Sequence, residues 1–165
     1  MALSRGSRTR PQAAAGEAAR RSSPYVGFVP ALVMHGDRDS TVHPHNADQI
    51  IQQFQAFAEL TGASPAPLVE SEERRVMSVG HAYRLRDYLR NDRVLLRKII
   101  VEGMGHAWSG GDERHRFNDA EGPDASQLIW DFVSEFRRKS RRHSRFGARW
   151  SRFLGRFRQR GVGSP

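Results

Sequence analysis

The segment Val29-Pro30-Ala31-Leu32-Val33-Met34-His35-Gly36 sets the first constraint on the fold. It is a short, uncharged apolar run closed by a glycine. Runs of this kind are buried strands of the sort found in parallel sheets. Asp37-Arg38-Asp39-Ser40-Thr41-Val42 follows at once. It is polar and turn-forming, which puts a loop with two carboxylates at the strand's C-terminal end.

The rest of the chain alternates in the same way. Asn46 is expected to cap a helix over 46–60, with Ala47, Ile50, Ile51, Phe54, Phe57, Ala58 and Leu60 near helical spacing and Gly62 as its stop. Residues 63–75, with Pro65 and Pro67, read as a connection. Tyr83–Leu89 and Val94–Glu102 have strand character, and Arg90-Asn91-Asp92-Arg93 between them suits a hairpin turn. A glycine-rich loop, Gly103-Met104-Gly105-His106-Ala107-Trp108-Ser109-Gly110-Gly111, ends the second strand. Residues 112–121 read as polar loop. A last helix is expected over 123–139, opened by Pro123-Asp124 and carrying Leu128, Ile129, Phe132, Val133 and Phe136 on one face. No internal repeat is found.

Charge divides the chain into three zones. Residues 1–24 carry +4, residues 25–136 hold 11 Lys/Arg against 17 Asp/Glu for −6, and residues 137–165 carry +11 without an acid, within an overall +9. The basic character therefore belongs to the ends. The expected organisation is a basic, disordered leader (1–24), an α/β domain (25–139) and an Arg-rich tail (140–165). The chain has no cysteine, which excludes disulfides and thiolate metal sites and leaves the compartment open. No apolar run approaches the ~20 residues that span a bilayer. Ala13-Ala14-Ala15 is too short for the core of a signal peptide, although the Arg- and Ser-bearing leader has the composition of a transit peptide. His43-Pro44-His45 is a poor chelate and reads as surface histidines at a helix start; no metal and no cofactor are expected.

The order strand, Asp-bearing loop, helix, strand, His-bearing loop, helix carries the chemistry. In open α/β sheets the functional loops lie beyond the C-terminal ends of strands. A histidine there suits general acid–base work, and a carboxylate behind it fixes its tautomer. In α/β-hydrolases the triad runs Ser, then Asp or Glu, then His along the chain. An acid from the 37–39 loop followed by His106 fits the second half of that order, with Asp37 and Asp39 both available.

His35-Gly36-Asp37-Arg38-Asp39-Ser40-Thr41-Val42 resembles the acid loop of α/β-hydrolases. The 103–111 loop resembles the histidine loop of the PHB depolymerase-like esterases, a family that includes feruloyl and acetylxylan-type esterases. Phe117-Asn118-Asp119 and Gly122-Pro123-Asp124-Ala125-Ser126 resemble the stretch before that family's last helix. The resemblance runs over about residues 29–136. It implies the C-terminal portion of an α/β-hydrolase sheet, incomplete, with a β-hairpin and flanking helices. It also implies Asp39 as triad acid in preference to Asp37, and His106 as triad base. Trp108 is a candidate for lining an acyl or sugar pocket, with packing as the rival role. The implied substrates are hydroxyalkanoate polyesters, their oligomers or plant-wall acyl esters. Family members are often exported, and this chain shows no export signal of its own.

The nucleophile is the departure from the family. No serine lies in a G-x-S-x-G elbow: Ser78 lacks the first glycine, Ser109 follows His106 too closely, and Ser22 and Ser23 sit in the basic leader. The sequence therefore reads as a truncated esterase, inactive alone: either a fragment of a longer esterase or a chain that needs a complementing N-terminal fragment. The alternative is a non-catalytic interaction protein that uses the basic tail. There Phe146, Trp150, Phe153, Leu154 and Phe157 recur at amphipathic spacing among arginines, a pattern suited to nucleic acid or an anionic membrane. The acidic centre argues against a dedicated nucleic-acid protein, and a solvated extension is the simpler reading of the tail.

Overall fold

The computed structural model describes residues 5–22, 28–61 and 66–136. The Arg-rich tail, with its amphipathic pattern, lies outside the described residues.

The sheet is built as the apolar patterns require. Strand β1 (Ala31–Gly36) pairs in parallel with β5 (Arg93–Val101), and β5 pairs antiparallel with β4 (Tyr83–Arg90). Two short strands, β2 (Val69–Glu70) and β3 (Arg74–Val76), pair antiparallel with β4, giving the order β1-β5-β4-β2 with β3 also on β4. Both short strands fall in or beside the stretch expected to be a bare connection. They are too short to show a period in sequence, and their pairing comes from β4. The β4–β5 turn is the expected hairpin: Asn91 and Asp92 have φ of 51° and 60°, the left-handed pair that a two-residue turn between twisted strands needs.

Each face of the sheet carries its own apolar layer. Helix α2 (His45–Thr61) covers one face, where Ile51 packs with Tyr88 and Leu96, flanked by Ala31, Val33 and Phe54. Helix α3 (Ala125–Val133) covers the other, where Leu128 meets Leu85, Ile99, Val101 and Met104, flanked by Leu32 and Met34. The alternation along β1 and β5 sends successive side chains to opposite layers. The fold class is α/β with a mixed sheet. Strand β1 was expected to be buried. It does contribute to both layers, yet it is the end strand of the described sheet and most of its residues are only half-buried.

Three expectations need correction. The stretch taken for a disordered leader contains helix α1 (Pro11–Arg21), which packs on α2 with Ala15 fully buried. The physical reasons are local. Pro11 opens the helix, the alanines have the highest helix propensity, and Glu17 pairs with Arg20 and Arg21 at 3.2 and 2.6 Å. Ser7 and Gln49 tie the approach to α2 through reciprocal bonds of 2.7 and 2.9 Å. Asn46 is not the cap of α2 but lies in its first turn, its side-chain amide donating to the His43 carbonyl at 2.7 Å. Helix α3 is shorter than expected, ending at Val133. At its start the Asp124 side chain accepts from Gln127 N–H at 3.0 Å. Among the described residues no helix is long and apolar enough to cross a membrane.

Candidate active site

Strands β1 and β5 run parallel and end side by side, so the loops that follow them are neighbours. Gly36 makes the close approach possible. A Cβ there would lie 2.2 Å from the Met104 carbonyl oxygen and 2.7 Å from that of Gly105. The sequence-distant Asp39 and His106 meet across this junction, with His106 Nδ1 2.8 Å from Asp39 Oδ2. Because a carboxylate accepts, Nδ1 carries the proton, and in the neutral ring Nε2 is the nitrogen with the lone pair.

The acid is well held. Asp39 is 7% exposed, and its Oδ1 accepts the backbone N–H groups of Thr41 at 2.9 Å and Val42 at 2.8 Å. Burial on its own would raise its pKa. The bonds from Val42, His106 and Thr41 outweigh that and hold the carboxyl below its ordinary value. His35 stands nearby, with Nε2 3.9 Å from Asp39 Oδ2 and Nδ1 donating to the Gly36 carbonyl at 2.9 Å. Asp37, the other carboxylate of the loop, faces away from this pair and accepts Gly103 N–H at 2.7 Å.

The pair opens onto a cleft of about 440 Å³ whose walls include Met34, Val42, Met104, Trp108, Phe117 and Ile129. His106 is half-exposed, and Trp108 lies on the wall with half its surface in solvent. Phe117 presents its ring edge-on to His106, centroids 6.2 Å apart, from a backbone with φ of 70°. Positive φ is a strained state for a bulky residue and persists only where surroundings enforce it. Here Trp108 N–H donates to Phe117 O at 2.6 Å, and strand β6 (Trp108–Ser109) pairs with β7 (Asn118–Asp119). Phe117 falls within a family-like stretch of the sequence but was given no role at the site, because nothing in a polar loop marks one aromatic as facing a histidine 11 residues earlier.

The serines weighed as nucleophiles do not join this pair. Ser109 is buried and donates to the Pro123 carbonyl at 2.6 Å; Ser22 donates to Ala18 O at 2.8 Å; Ser78 lines a separate groove with Gly80 and His81. Ser23 lies outside the described residues. Among the described residues, no serine hydroxyl is hydrogen-bonded to His106, and no three metal-ligating side chains come together.

Residues 1–76 match the family model described as esterase PHB depolymerase. That match covers less than half of the chain and supports the PHB depolymerase-like esterase family. This is a family of carboxylic-ester hydrolases. The matched segment holds α1, β1, the loop with Asp39 and α2, while the loop with His106 lies beyond it. No curated protein matches the chain.

Proposed function

We propose that this esterase-family chain supplies the acid and base of a serine-esterase triad, with Asp39 orienting His106 and His106 moving the proton. The observation that carries the reading is the 2.8 Å contact between His106 Nδ1 and the buried, charged Asp39, on loops beyond parallel strands and at the mouth of an apolar cleft. With Nδ1–H held by the carboxylate, Nε2 would take the proton of an attacking hydroxyl and return it to the leaving alkoxide. Asp39 would stabilise the imidazolium formed in between. The apolar walls suit an uncharged acyl or hydroxyacyl ester, with Trp108 as one wall. The chain corresponds, in this reading, to the portion of an α/β-hydrolase that bears the acid and the histidine.

The hydroxyl itself would come from a polypeptide segment outside these 165 residues, because no serine among them lies in an elbow motif. The chain by itself is therefore expected to turn over p-nitrophenyl butyrate no faster than its imidazoles do in solution. Mixing it with the elbow- and oxyanion-bearing half of a family esterase tests the reading. Turnover is expected to appear with the complex and to fall about 10⁴-fold in Asp39→Asn, where the wrong tautomer is favoured. A complex that forms and hydrolyses ester equally well with His106→Ala would overturn the assignment.

A further inference from the structure

The His-Gly-Asp-Arg-Asp motif has two acids, and the catalytic reading uses only Asp39. Asp37 makes a different set of bonds. Its backbone N–H donates to Val101 O at 3.0 Å, its Oδ1 accepts Gly103 N–H at 2.7 Å, and Arg38 N–H next to it donates to Met104 O at 3.0 Å. All three bonds land on residues 101–104, just ahead of His106. That segment is poorly held by its own sequence. Gly103 has φ of 79°, and Gly105 has open space where a Cβ would be, so two of the three residues before His106 carry high backbone freedom. The side-chain bond from Gly103 falls where the β5 ladder has ended. Behind Asp37 stands Arg84, 4.0 Å from its Oδ2 and also 3.9 Å from Glu102 and 3.6 Å from Glu73.

We infer that Asp37 is a positioning residue: it anchors the glycine-flanked segment so that His106 reaches Asp39 in the tautomer the reaction needs. This rests on the proposed role of the His106–Asp39 pair. A bare turn former would need no donor 66 residues away.

NMR of the full chain tests it through two readouts: the tautomer of His106, from its ring ¹⁵N shifts at a pH where the ring is neutral, and hydrogen-exchange protection of the Gly103 amide. The wild type is expected to show the Nδ1–H tautomer and a protected Gly103. Asp39→Asn is expected to lose the tautomer and keep the protection. Asp37→Ala is expected to lose both, with the ring reverting to the Nε2–H form that free imidazole side chains prefer. Asp37→Asn keeps an Oδ1 acceptor and is expected to restore both. Loss of Gly103 protection without a change at His106, a change at His106 with protection retained, or no change in either would each overturn the inference. If Asp37→Ala does not fold, Asp37→Asn decides alone, since the two readouts must stay or go together. A wild type without the Nδ1–H tautomer sinks the paired reading itself, and this inference with it.

Discussion

Asp39 is buried among groups that favour its charged form: two backbone N–H donors and an imidazole. Its pKa is lowered in the fold, so its charge stabilises the native state above the unfolded carboxylate value near 3.8. That contribution is lost as pH falls through the lower, folded value. Asp39→Asn keeps an oxygen for Thr41 and Val42 and removes the charge. It is expected to destabilise the chain at neutral pH by about 1.5–3 kcal/mol, the range for hydrogen bonds to charged groups. The gap to wild type should close on acidification below the folded value. Thermal unfolding across that range checks it, and a gap that widens toward acid would show that burial, not bonding, dominates at this residue. Asp39 was legible in the sequence through its match to a family position. The residue types alone left Asp37 and Asp39 both open, because both are polar turn formers, and the choice of Asp39 rested on the resemblance.

Secondary structure follows local pattern where the pattern is long enough. The hairpin was readable because Asn91-Asp92 stands between two β-rich runs, and both residues take the positive φ such a turn needs. Asp pays a steric cost there that glycine does not. Asp92→Gly is expected to stabilise the chain by about 0.5–1 kcal/mol, seen as a higher denaturation midpoint with unchanged slope. A lower midpoint would mean that the Asp92 side chain contributes more than its strain costs. Strands β2 and β3 and the β6–β7 pair escaped sequence reading because two or three residues cannot display a period. Their existence depends on partners distant in the chain.

At the scale of the molecule, α1 is the element whose role is least evident from its composition. Arginines and small residues suggest a solvated leader, yet Ala15 is fully buried where α1 packs on α2. Because α2 in turn covers β1 and β5, the segment belongs to the packed domain rather than to a flexible end. Ala15→Asp would bury an unpaired carboxylate in that contact and is expected to cost at least about 2 kcal/mol. Its Tm should fall, and a hydrophobic dye should bind the uncovered face of α2. An unchanged Tm would show that α1 rests on α2 without contributing to stability.

By itself the sequence determined the central hairpin, the parallel-type strand, α2, and the presence of an acid and a histidine on loops, because each is written in a contiguous run of side-chain types. Tertiary structure alone decided that the Asp39 and His106 loops meet within hydrogen-bond reach, that Phe117 stands against the imidazole, and that α1 is packed. Those outcomes depend on which strand ends lie side by side and how closely two backbones approach at Gly36, and contacts between residues 67 positions apart leave no local periodicity to read.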